Sequence, residues 1–123
     1  MGLYLVIQYR VIYYTRPSGQ QPVAKWRDKR SKRVRADIDA KRGKLAERGL
    51  GLLKTEMLDK LLGDSDFYEL RNVGLGWRIA VYFDRAINTF VLLYGFKKQK
   101  QVQQQDIEQA RRLLYDYLAT RRG

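Results

Sequence analysis

The stretch from Phe67 to Lys98, FYELRNVGLGWRIAVYFDRAINTFVLLYGFKK, constrains the fold more than any other part of the chain. It reads as three consecutive strands joined by two short turns. Strand side chains alternate between faces, so Phe67, Glu69 and Arg71 share one face of the first strand, and Tyr68 and Leu70 the other. Asn72-Val73-Gly74-Leu75-Gly76 is a glycine-bearing hairpin loop. In the second strand Trp77, Ile79, Val81 and Phe83 point one way, and Arg78, Ala80 and Tyr82 the other. Asp84 to Asn88 turns the chain again. Thr89 to Lys97 is apolar on both faces, as expected of a central strand. Glu69, Arg71 and Arg78 stand where a purely structural strand would carry apolar or neutral residues, and Lys97 and Lys98 follow the third strand.

The flanking segments supply covering layers. Leu3 to Tyr14 is rich in β-branched and aromatic residues and predicts a strand with both faces largely covered. Arg16-Pro17-Ser18-Gly19 ends it in a turn. Pro22 suits the first turn of a short amphipathic helix carrying Val23, Trp26 and Arg27. Ser31 is a plausible N-cap for a second helix, from Lys32 to about Arg48, with Val34, Ile38 and Leu45 on its apolar face. Asp37 and Lys41 are four apart and are expected to pair on its solvent side. Gly49 and Gly51 supply its stop. Leu50 to Gly63 reads as a helical turn or an irregular connection, and Asp64-Ser65-Asp66 as a turn. A last helix runs from about Gln104 to Arg121 with Ile107, Ala110, Leu114, Tyr117 and Leu118 as its stripe. Asp106 and Glu108 near its start and Arg121 and Arg122 near its end complement the helix dipole. No internal repeat and no linker interrupts the chain, so residues 1–123 are expected to form one domain.

Composition narrows the chemistry. Cysteine and histidine are both absent, which removes disulfides, thiolate catalysis, the commonest general base and the commonest metal ligand. No cofactor and no metal is expected. Net charge is +12, from 25 Lys+Arg against 13 Asp+Glu. Eleven basic and four acidic residues fall between Lys25 and Arg48, leaving that helical pair at +7. Such a field favours a polyanionic partner and salt-sensitive binding. No apolar run approaches the ~20 residues of a membrane span. The N-terminus lacks the basic start and the cleavage site of a signal peptide and has no myristoylation pattern. The expected setting is the cytoplasm, with no membrane contact.

Strand, two helices, three antiparallel strands and a helix suggest a compact α+β domain, in the order β-α-α-β-β-β-α, with helices packed on the sheet. Several segments, in this order, resemble the phage-derived, HigB-like branch of the RelE/ParE toxin superfamily: Ser18-Gly19-Gln20-Gln21-Pro22-Val23-Ala24-Lys25-Trp26, Val34-Arg35-Ala36-Asp37-Ile38, Phe67-Tyr68-Glu69-Leu70-Arg71, Trp77-Arg78, Val91-Leu92-Leu93-Tyr94-Gly95-Phe96-Lys97-Lys98 and Asp106-Ile107-Glu108-Gln109-Ala110. The resemblance covers nearly the whole chain from Tyr9 onward. It implies a RelE-like fold and the toxin of a type II toxin–antitoxin pair, which cleaves messenger RNA without metal, often on the ribosome, and arrests growth. It also implies a cognate antitoxin, expected to be a helix-turn-helix protein. Where the family continues its lysine pair with a stretch containing Lys-Thr-Pro, this chain has Gln101-Val102-Gln103.

Metal-free RNA cleavage requires a base for the 2′-hydroxyl, stabilisation of the phosphorane charge and a proton for the 5′-oxygen. Arginine suits the second task, because its planar guanidinium grips two phosphate oxygens and keeps its charge. The resemblance maps this role to Arg71 and Arg78, and the family's lysine pair to Lys97 and Lys98. A lysine crowded by cations can serve as base, which makes Lys54, Lys97 and Lys98 candidates. Glu69, on the Arg71 face, is either a base or an anchor for an arginine. Tyr82 and Arg35 complete the expected RNA contacts with Lys54. The same residues are compatible with a cross-strand salt-bridge network. Two other functions remain open: a ParE-like inhibitor of DNA gyrase without nuclease activity, and a basic nucleic-acid-binding module that has lost toxicity.

Overall fold

A computed structural model describes residues 9–63, 65–98 and 104–121. Five strands, β1 (Arg10–Tyr13), β2 (Leu58–Leu62), β3 (Phe67–Asn72), β4 (Trp77–Asp84) and β5 (Thr89–Lys97), form one sheet in the order β1-β5-β4-β3-β2. The helices are α1 (Pro22–Asp28), α2 (Lys32–Arg48) and α3 (Gln104–Arg121). The expected α+β architecture is present, with one more strand in the meander. β2 runs antiparallel to β3 in the segment read as a helical turn or irregular connection. Only the start of that segment is helical, within a 3-10 turn that spans Gly49–Lys54. β1 is shorter than the expected 3–14 strand, whose residues 3–8 lie outside the described residues. Among the described residues it pairs with β5 alone, in parallel, and it is half-buried at the sheet edge where two covered faces were expected.

The two faces bury separate cores. Tyr68, Leu70, Trp77, Ile79, Val81, Phe90 and Leu92 pack against Val23 of α1 and Ile38 and Leu45 of α2. Phe67, Ala80, Val91, Leu93 and Phe96 pack against Ala110, Leu113 and Leu114 of α3. The α3 stripe therefore includes Leu113, one position from the expected Leu114. Ser31 caps α2 as expected, its hydroxyl accepting from the Val34 N–H at 3.2 Å. Gly49 supplies the stop with φ at 54°. Arg122 lies outside the described residues, as do Asp64 and Gln101-Val102-Gln103.

An irregularity in the central pair sets what each face carries. Ala80 opposes Tyr94 but Val81 opposes Leu92, leaving Leu93 as the extra residue. This bulge resets the side-chain alternation in β5. Tyr94 and Phe96 thereby join the α3 face, where their rings stack at 5.9 Å. Gly95 turns toward α1, and the Trp26 indole occupies the space a side chain would need. A Cβ at Gly95 would stand 2.4 Å from Trp26 Cδ2, so only glycine admits the ring.

Asp37 ties α2 to the hairpin between β3 and β4. Its Oδ2 accepts from Asn72 Nδ2 at 2.7 Å and from Trp77 Nε1 at 2.8 Å, while Lys41 Nζ donates to Oδ1 at 2.8 Å. The expected Asp37–Lys41 pair forms, but it faces the hairpin and is largely buried, which corrects the solvent-side expectation. Burial pushes the Asp37 carboxyl up, but the bonds from Lys41, Asn72 and Trp77 outweigh it and hold the group below its ordinary value of 3.8.

Asp37→Ala strands the buried Trp77 N–H and is expected to cost about 2–3 kcal/mol in urea unfolding. A carboxyl that titrates lower in the folded state contributes fully above about pH 5 and loses its contribution as the pH falls through the folded value. The stability gap between the wild type and Asp37→Asn should therefore narrow below about pH 4, and a gap independent of pH would contradict this assignment.

Candidate phosphate-binding site

Arg71 on β3 and Arg78 on β4 stand directly opposite each other in the antiparallel register. Like charges in that position repel. Glu69, two residues before Arg71 on the same face, resolves the conflict. Its Oε2 accepts from Arg78 Nη1 at 2.6 Å and from Arg71 Nη1 at 3.4 Å. Glu69 is 6% exposed, a burial tolerable for a charge only because both neighbours are cations.

Each guanidinium is also steered from outside the pair. Arg71 Nε donates to the Glu56 carbonyl at 2.8 Å, and its Nη1 also reaches Asp59 of β2 at 3.3 Å. Arg78 lies opposite Phe96, which is buried, so an apolar ring flanks its stem. Arg78 is only slightly exposed and Arg71 rather more, at 13% and 20% of their side chains. The result is two arginines fixed side by side by one carboxylate, beside the part of the sheet that α3 covers.

The other expected site residues divide into two groups. Lys97 ends β5 opposite Trp77, and the Lys98 N–H donates to the Gly76 carbonyl at 2.8 Å. Both lysines are exposed at the strand end, and the register puts Lys97 with Trp77 on the sheet face away from Arg78 and Phe96. Lys54 is exposed at the end of the 3-10 turn, two residues before the Glu56 carbonyl that holds Arg71. Tyr82 lies apart from these. It is half-buried under α3 with its ring 6.1 Å from that of Tyr117, and burial pushes its hydroxyl pKa up. Arg35 is on α2, which packs on the opposite sheet face, and donates to the Arg30 carbonyl.

Asp59 and the Glu56 carbonyl were not foreseen. Their roles depend on β2, whose sequence Leu58-Asp59-Lys60-Leu61-Leu62 carries no period-two alternation that would have announced a strand. Asp84, read as part of a turn, is 1% exposed and accepts from Tyr117 Oη at 2.7 Å and Arg121 Nε at 2.8 Å. It clamps the end of α3 to the sheet and takes no part in the arginine pair.

Residues 25–115 match the family described as phage derived protein Gp49-like. No curated protein matches the chain in sequence. Among solved structures, the isolated RelE toxin of E. coli is similar at 17% identity and a TM-score of 0.52, covering 92% of this chain and 97% of that one. The toxin–antitoxin complex RelBE2 of Mycobacterium tuberculosis contains a chain that is 16% identical with a TM-score of 0.49, covering 75% of this chain and 100% of that one. The likeness to RelE concerns the fold.

Removing the Glu69 carboxylate leaves two opposed guanidiniums with less compensation. Glu69→Ala is expected to destabilise the protein by about 3 kcal/mol. Replacing Arg78 by Met in that background should recover part of the loss, because the repulsion disappears. A double variant no more stable than Glu69→Ala would show that the carboxylate does not balance the pair.

Proposed function

The chain belongs to the phage-derived Gp49-like family, a RelE-like toxin family, and on that premise we propose that it is the toxin of a type II toxin–antitoxin system acting as a metal-independent mRNA endoribonuclease. The observation that carries the chemical part is the pairing of Arg71 and Arg78 around the buried Glu69 carboxylate. Arg78 donates one hydrogen bond to Glu69 through Nη1, and Arg71 spends Nε and Nη1 on Glu56, Asp59 and Glu69. Among the described residues, the remaining N–H groups of the two forks are available for phosphate oxygens.

In this reading the RNA 2′-oxygen attacks the adjacent phosphorus as its proton passes to a base. The P–O5′ bond breaks, and the 5′-oxygen takes a proton. The products are a 2′,3′-cyclic phosphate and a 5′-hydroxyl. Arg71 and Arg78 stabilise the charge that builds on the non-bridging oxygens, an electrostatic contribution from donors already fixed in place. Glu69 orients both arginines. Lys98, just past the end of β5, is the proton-transfer candidate, since Lys97 shares the register position of Trp77 on the other face, and Lys54 is a contact to a flanking phosphate. DNA lacks the 2′-hydroxyl and would not be cut.

The partner is a cognate antitoxin of the helix-turn-helix type with an acidic segment, which suits the +12 charge and would cover the arginine pair. The substrate is mRNA, engaged on the ribosome, and the expected compartment is the cytoplasm.

Arg78→Lys keeps a cation for Glu69 but loses the planar fork. It is expected to fold with a Tm near that of the wild type, and growth arrest on induction should fall by at least about two orders of magnitude. Arg71→Lys should behave likewise. If both variants fold and remain fully toxic, the arginines serve the sheet and not the phosphate.

A further inference from the structure

On the sheet face opposite Glu69, a groove of about 390 Å3 is lined by Arg16, Lys25, Trp26, Lys29 and Arg30, with no carboxylate in its walls. The turn after β1 presents Arg16, closed by hydrogen bonds from the Gly19 N–H to the Arg16 carbonyl and from the Arg16 N–H to the Gln20 carbonyl, both 2.8 Å. Lys25 on α1 and Lys29 just past its end are four residues apart, and both are exposed. Trp26 is the floor. One side of its indole lies against Gly95, and the Arg30 guanidinium sits 4.9 Å from the ring centroid.

The distribution of acids makes this groove unusual. The acidic residues of α1 and α2 that form ion pairs are engaged elsewhere: Asp28 and Asp39 with Arg27, Asp39 also with Arg42, and Asp37 with Lys41. Among the described residues, Arg16, Lys25 and Lys29 have no carboxylate partner. A concave site that gathers four cations and excludes every anion of its own is built for a ligand carrying several negative charges in a row.

We infer that this groove is a second nucleic-acid site, which grips the phosphate backbone of a single RNA strand on the face away from the arginine pair. The indole has Gly95 on one side and Arg30 by its ring, so it offers no open platform for stacking a base. The contacts left are cations to phosphates, and recognition is therefore of backbone and not of sequence. The choice of RNA among polyanions rests on the proposed function, but the groove is tested with a strand that cannot be cut, so its failure is distinguishable from failure of the nuclease reading.

The test uses a single-stranded RNA oligonucleotide that is 2′-O-methylated throughout and so cannot be cleaved, with affinity followed by fluorescence anisotropy over a salt series. Lys25→Ala/Lys29→Ala is compared with Lys44→Ala/Lys60→Ala, which removes the same charge from exposed positions outside the groove. The groove variant is expected to bind roughly tenfold more weakly at low salt, with the salt slope reduced by about 1.4, while the control stays within about twofold of the wild type. Equal losses in the two variants would assign the binding to overall charge and overturn the groove, as would an unchanged affinity in the groove variant.

Discussion

Two arginines directly opposite each other across a strand pair repel, and the site exists because one buried carboxylate absorbs that repulsion. Arg71 and Arg78 are register partners, and Glu69 Oε2 lies within hydrogen-bonding reach of both. The arrangement needs the pairing of β3 with β4, the β2 edge that brings Asp59 and the Glu56 carbonyl to Arg71, and the apolar ring of Phe96 opposite Arg78. The hairpin that joins the two arginine strands is in turn fastened to α2 through Asp37, Asn72 and Trp77. The rigidity of the cation pair is thus distributed over most of the fold, although the pair and its carboxylate are only three residues.

Side-chain alternation made much of this legible. β3, β4 and β5 were readable from period-two patterning, and strand parity alone put Glu69 with Arg71 and Arg78 with Ala80 and Tyr82. It could not supply what depends on distant parts of the chain. β2 is five residues long with an irregular register, and its Leu-Asp-Lys-Leu-Leu sequence does not alternate. The bulge at Leu93 is hidden inside a uniformly apolar run, so neither the turn of Gly95 toward Trp26 nor the stacking of Tyr94 with Phe96 was predictable. Spacing announced the Asp37–Lys41 pair. The two partners that draw Asp37 inward lie 35 and 40 residues away in sequence and left no local mark. Tyr82 shares the face of Arg78 as parity required, but α3 lies over it, and parity says nothing about which part of a face is covered.

The charge of the chain is unevenly answered. On the α3 side of the sheet, cations are held against carboxylates: Arg71 and Arg78 by Glu69, and Arg121 by Asp84. Around Trp26 they are not, because the ion-paired acids of α1 and α2 are spent on Arg27, Lys41 and Arg42. The first arrangement gives a fixed geometry suited to stabilising charge on one phosphate, and the second gives an open run of positive charge suited to holding a strand. Net charge alone would not distinguish the two.

The chemistry of RNA ends after a brief induction of the protein in growing cells tests the endoribonuclease account most directly. Attack by the 2′-oxygen predicts new transcript fragments that begin with a 5′-hydroxyl and whose upstream partners end in a 2′,3′-cyclic phosphate, absent when Arg78→Lys is induced in place of the wild type. Intact transcripts accompanied by a DNA-damage response would contradict the account and point to a gyrase inhibitor on the same fold.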